Sequence, residues 1–224
     1  MDQETLQARE KMLSRAVSPE TLLSVDCIPA GPLSIESVTD EVVAGPYLLK
    51  AARTAQQEGY HAFVVYCFSD LAVNALRENL TIPVVGPGEV SLAAAGMLSN
   101  RFTVVTTVEK NVSRTLRRLM QDPVCREKLV QVRALDIPVT ELRYNPQATI
   151  QYLRKLCRTA VEEDRSDTLI LGCLGMAEYG DTLEREFGIK VIDPAFLAVA
   201  WAELSARLHL TPSHKSYGPF QEGL

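Results

Sequence analysis

AFVVYC at 62–67, with IPVVGPGEVSLAAAGML at 82–98, decides the fold, because the chain writes the pattern again as TLILGC at 168–173 and IKVIDPAFLAVAWAEL at 189–204. Each copy is a short β-branched run ending in cysteine, then an amphipathic stretch, then a second apolar run, then a proline that opens a long apolar helix. The spacing agrees: Cys67 lies 20 residues before Pro87, and Cys173 lies 21 before Pro194. Strands alternating with helices in two related halves predict parallel sheets.

Further strands are expected at Leu22–Ile28, Phe102–Thr107 and Val130–Ile137, beside Pro83–Gly86 and Lys190–Asp193 inside the repeats. Helical patterns cover Thr39–Glu58, Asp70–Glu78, Glu89–Leu98, Ser113–Gln121, Ala148–Glu163, Met176–Phe187 and Ala195–Leu208. TPSHKSYGPFQEGL at 211–224 reads as an extended tail. The expected fold class is α/β, two pseudosymmetric doubly wound parallel-sheet domains with the active site in the cleft. Residues 1–98 with 195–224 would form the first domain and 99–194 the second. The repeat also exposes a gap. The opening strand of the second half ends at Thr107, 66 residues before Cys173, and the same distance back from Cys67 reaches position 1. The first strand of the N-terminal half is therefore expected to be missing, which would leave its neighbours without a pairing partner. Either Met1 is internal to a longer reading frame or the fold is compromised.

Composition narrows the function classes. With 46% hydrophobic and 23% charged residues over 224 positions, the chain can bury a full core. A net charge of −5 with dispersed lysines and arginines argues against a nucleic-acid partner. The charged start MDQETLQAREKMLSRAVSPE has no apolar signal segment, and no later stretch is long and apolar enough for a membrane span. A cytoplasmic location without membrane contact is expected. The five cysteines show no CxxC spacing and are read as thiols rather than disulfides. His61, His209 and His214 have no metal-site spacing, so no metal is expected.

In open α/β sheets ligands bind beyond the carboxyl ends of the strands, where Cys67 and Cys173 stand. A helix start after each would present backbone N–H groups and favour thiolate. One cysteine at a strand end is most often a small buried residue. Two at equivalent repeat positions, each followed by a turn, suit inversion of a carbon acid: one thiolate removes a proton and the other thiol delivers one to the opposite face. Amides at the turns would stabilise the enolate oxygen, and Thr106 and Thr107 add hydroxyls nearby. Cys27, Cys125 and Cys157 lack such pairing and are read as structural. Asp70 is expected to cap the helix that follows it. The glycines of VVGPGE do not match GxGxxG, which argues against a dinucleotide site.

CFSD at Cys67, VVTT ending at Thr107, LGCLGM around Cys173, VIDP at Val191, GPLSIES at 31–37 and SHKSYGP near the end resemble the aspartate/glutamate/hydantoin racemase superfamily. The resemblance is to its hydantoin and allantoin racemase branch and runs from about Ser18 onward. It implies a two-domain fold, cofactor-independent two-base racemisation of a small-molecule substrate, and usually a homo-oligomer. By position, Cys67 and Cys173 are the acid/base pair; Ser69, Asp70, Leu174 and Gly175 offer backbone amides to substrate carbonyls; Thr106 and Thr107 line the cleft. Leu174-Gly175 stands where the family's amino acid racemases carry Thr-His, which points to a 5-substituted hydantoin or related ureide over free glutamate. The chain lacks the opening strand and INPNT-like turn of the branch, and Leu71 stands where proline is common. The competing expectations are racemisation of a free amino acid such as aspartate, a degenerate metabolite-binding member, and a redox protein with a Cys67–Cys173 disulfide.

Overall fold

Phe102–Thr106 (β3) is buried along its whole length, and the larger sheet is built around it. In this computed structural model, which describes residues 2–218, the strand order is β4-β3-β5-β6, all parallel, with β4 at Leu129–Ala134, β5 at Thr168–Leu171 and β6 at Lys190–Ile192. Alternation along the strands divides the core. Phe102, Val104 and Ile170 face α1 (Gln3–Leu13), α4 (Pro87–Leu98) and α9 (Pro194–Arg207). Val105, Leu169 and Leu171 face α7 (Pro146–Glu162) and α8 (Gly180–Phe187). The fold class is α/β with parallel sheets in two related halves.

The first half carries a smaller sheet, β1 (Phe63–Val64) paired in parallel with β2 (Val84–Val85). α2 (Val38–Gln57) precedes it, with Ser37 accepting from the Asp40 amide as its cap. α9 packs on α4, β1 and β2, so the C-terminal helix covers the N-terminal sheet. Proline at the first turn and a preceding side-chain cap fix several starts: Asp193-Pro194 for α9, Asn145-Pro146 for α7, and Asp122-Pro123 for α6 (Pro123–Lys128).

Four expectations are corrected. Leu22–Ile28 is not a paired strand; no described strand lies beside it, and the Val25 amide donates to the Glu10 carboxylate instead, at 2.8 Å. The helix after Cys67 (α3, Val73–Asn79) begins three residues past Asp70, because Asp70 and Ala72 take left-handed φ values of 55° and break the turn. α1 and α6 form where no helix was expected; α1 is capped by Asp2 and buries Arg9, Met12 and Leu13. α5 (Lys110–Leu119) starts three residues earlier than its pattern suggested. Residues 219–224 of the expected tail lie outside the described residues. Among the described residues no helix is long and apolar enough to cross a membrane, and no cluster of three or more His, Cys, Asp or Glu could hold a metal ion.

Candidate active site

Beyond β1 the chain turns sharply at Cys67. The Cys67 amide donates to Val65 O at 2.6 Å, the Asp70 amide donates back to Cys67 O at 3.0 Å, and the Ser69 hydroxyl sits 3.2 Å from the Cys67 thiol. Asp70 does not cap α3. Its carboxylate accepts from the amides of Gly88 (2.7 Å) and Glu89 (2.9 Å) and so caps α4. This contact explains the GPG sequence: a Cβ on Gly88 would lie 2.4 Å from Phe68 O. From α5, across the halves, Arg118 donates to Phe68 O at 2.8 Å, reaches the Asp70 carboxylate at 3.3 Å, and lies over the Phe68 ring at 5.2 Å.

Cys173 follows β5 by a different route. The Gly172 amide donates to Val105 O at 2.7 Å, and a Cβ there would come within 2.6 Å of that carbonyl, so glycine is required for the approach. Cys173 caps the 3₁₀ turn Leu174–Met176, and its thiol accepts from the Gly175 amide at 3.4 Å. The two turns meet through Tyr66, whose hydroxyl donates to Leu174 O at 3.4 Å and accepts from Arg9 at 3.2 Å.

Both cysteines open onto one cavity of about 2630 Å³. The Asp/Glu/hydantoin racemase family model matches residues 3–202, nearly the whole chain. The chain belongs to this family. It is 38% identical over 173 residues to a hydantoin racemase of Pseudomonas sp. (strain NS671), covering 77% of this chain and 69% of that one. A hydantoin racemase of Rhizobium meliloti is 35% identical over 172 residues, covering 77% and 71%. Among solved structures, allantoin racemase from Klebsiella pneumoniae superposes with a TM-score of 0.92 at 29% identity, over 100% of this chain and 92% of that one.

Seven of the eight residues singled out from the sequence line the cavity of this Asp/Glu/hydantoin racemase family member: Cys67, Ser69, Thr106, Thr107, Cys173, Leu174 and Gly175. Asp70 is the exception. It does not line the cavity, and its amide and carboxylate are both committed to the turn and to α4. Burial pushes the Asp70 carboxyl up to about 6, against the opposing pull of Arg118 and the capped amides.

The expected thiolate setting is also corrected. Burial raises the Cys67 thiol, only partly offset by bonds to Ser69, with the charges of Asp70 and Glu41 raising it further. Burial pushes Cys173 up to about 12, with the Gly175 amide and Arg9 lowering it and a charge on Cys67 raising it. No full helix starts beside Cys67, so desolvation outweighs the dipole that was expected to lower the thiol. Cys125 and Cys157 are buried in the core, apart from this cavity.

Tyr66, Arg9, Arg118 and Asn111 escaped the sequence reading, as did Arg114 and Arg143 on the cavity wall. Tyr66 precedes Cys67 and could have been flagged by that adjacency. Arg9 and Arg118 reach in from distant helices and carry no local signal. Asn111 donates to the Thr107 hydroxyl at 3.3 Å and lines the cavity, while its side-chain oxygen is buried without a partner among the described residues. Its place four residues after Thr107, one helical turn along, was the available hint.

Proposed function

We propose that the chain is a cofactor-independent two-cysteine racemase acting on a carbon acid next to a carbonyl, with a 5-substituted hydantoin or related ureide as substrate. One observation carries the reading. The two repeat cysteines sit at equivalent strand-end turns, open to one cavity, and lie near enough that charge on Cys67 disfavours charge on Cys173.

In the forward step the thiolate of one cysteine takes the proton from the ring carbon, and the C–H electron pair moves into the adjacent carbonyl as an enolate. The thiol of the other cysteine then gives its proton to the opposite face, the carbonyl re-forms, and the configuration is inverted. The amides of Ser69, Leu174 and Gly175 stand beside the two thiols and supply donors for the enolate oxygen. Thr106 and Thr107 line the same wall, and the Asn111 side-chain oxygen suits a ring N–H. A raised thiol pKa makes each thiolate a stronger base toward carbon, at the cost of a smaller ionised fraction at neutral pH.

Arg9, Arg114 and Arg143 also line the cavity and favour a second reading, a free amino acid whose carboxylate they would hold. Polarimetry on enantiopure 5-substituted hydantoin, allantoin, aspartate and glutamate separates the two. The ureide reading predicts loss of rotation with a cyclic ureide and none with the amino acids; the reverse would overturn it.

A further inference from the structure

Four side-chain polar atoms among the described residues are buried without a partner, and three of them, Arg9 Nε, Asn111 Oδ1 and Arg114 Nε, belong to residues that line the cavity. A buried polar atom left unmet is costly, so its presence in a cavity wall marks a place where a ligand group can meet it. Two of the three share α5. Asn111, Arg114, Thr115 and Arg118 recur at the spacing of one helical face, and all four line the cavity. Asn111 is only 3% exposed, and its Nδ2 donates to the Thr107 hydroxyl at 3.3 Å, which commits the donor end and leaves Oδ1 as an open acceptor. Arg114, one turn along, gives Nη1 to the Glu41 carboxylate of α2 at 2.7 Å and keeps its Nε–H unmet. The face of α5 therefore offers one acceptor and one donor side by side.

The partner of Arg114 narrows what the donor can hold. Glu41 lines the cavity too, and its charge reaches the Cys67 thiol, so the ion pair stands near one of the two proposed bases. The guanidinium charge is already answered by Glu41, and a carboxylate arriving at Nε would meet the Glu41 carboxylate as a like charge. A neutral carbonyl oxygen meets no such repulsion. Asn111 Oδ1, for its part, needs an N–H or O–H donor.

We infer that Asn111 and Arg114 together read a cis-amide edge of the substrate ring: a ring N–H donates to Asn111 Oδ1, the adjacent ring carbonyl accepts from Arg114 Nε–H, and Glu41 holds the guanidinium and turns carboxylates away. A cyclic ureide presents N–H and C=O side by side because the ring closes its amides in the cis form. A free amino acid can offer its ammonium to Asn111, but its carboxylate would then lie against Glu41. The inference rests on the ureide reading of the cavity and names the residues that select for it.

The test is calorimetric binding of 5-benzylhydantoin and its N1-methyl and N3-methyl derivatives to the unaltered protein, to Asn111→Leu and to Arg114→Lys, with Asn111→Ala guarding against a leucine variant that fails to fold. The unaltered protein should lose at least about tenfold in affinity when one of the two ring nitrogens is methylated. The Asn111 variants should lose a similar factor on the parent ring and nothing further with that methyl, the non-additivity expected of two groups in contact. Arg114→Lys keeps a cation for Glu41 but has no Nε–H, and should bind the parent ring at least about fivefold more weakly. A merely structural ion pair would be restored by lysine. Additive losses from methylation and Asn111 substitution, full binding by Arg114→Lys, or no hydantoin binding by the unaltered protein would each overturn the inference. Polarimetry on the same samples keeps the two claims apart: racemisation with additive losses overturns the edge reading alone, and the methyl pattern without racemisation overturns the chemistry alone.

Discussion

The turns that carry Cys67 and Cys173 are copies in sequence but are held differently. The Cys173 turn stands on the four-stranded sheet and is fixed by backbone: Gly172 against Val105, and the Gly175 amide on the thiol. The Cys67 turn stands on a two-stranded sheet and is fixed by side chains: Ser69 on the thiol, Asp70 on α4, and Arg118 from the opposite half. Even the capping is exchanged. Asp70 reaches from the turn to the helix, whereas Asp193, at the helix start, accepts from Ala195 and reaches back to the Glu178 amide, each at 3.0 Å. On the four-stranded sheet the main chain positions the thiol. On the two-stranded sheet long side chains do so, and they are open to mutation in a way that main chain is not.

Removing either thiol should abolish the proposed racemisation, which calls on both turns. Cys67→Ser and Cys173→Ser are each expected to lower kcat by about 10²–10⁴, measured by polarimetry. The pH dependence comes next. Both thiols are raised, so the fraction present as thiolate grows about tenfold per pH unit below the pKa, and kcat/KM should climb through neutral pH toward pH 9 without a plateau. A plateau at pH 7 would show that a thiol is far more acidic than its burial allows.

Asp70→Ala removes a buried cap that Asp70→Asn can partly replace. The alanine variant should lose about 1–3 kcal/mol of stability in urea titrations. Its Cys67 thiol should gain reactivity toward iodoacetamide while that of Cys173 stays within twofold. Equal changes at both cysteines would deny that the turns are held separately. Arg118→Ala should act in the same direction but more weakly, because Asp70 keeps its two backbone partners, and Arg118→Lys should restore part of the effect.

The repeat made the parallel sheets, the order of elements and the two strand-end cysteines legible, because strand-end position follows from local pattern, and the family resemblance added the residues around them, so that seven of the eight singled out line the cavity. Leu22–Ile28 misled because its alternation is that of a strand; pairing depends on a neighbour, which is a property of the sheet. Asp70 misled because cap chemistry is visible in sequence but the helix it caps, eighteen residues on, is not. Thiol acidity misled for a related reason: the dipole was inferred from the next few residues, while desolvation comes from elements spread over the whole chain. Arg9 and Arg118 had no signal because their contacts with Tyr66 and Phe68 are made only by the folded chain.

The central claim is proton transfer between two thiols across one cavity, and deuterium wash-in tests it most directly. Enantiopure 5-substituted hydantoin is turned over in D₂O and both enantiomers are analysed at low conversion. Two opposed thiols predict deuterium at the ring carbon of the inverted product and very little in the remaining substrate, corrected for the rate without protein. Equal deuterium in both enantiomers at early times would mean that one group serves both faces, and would contradict the account.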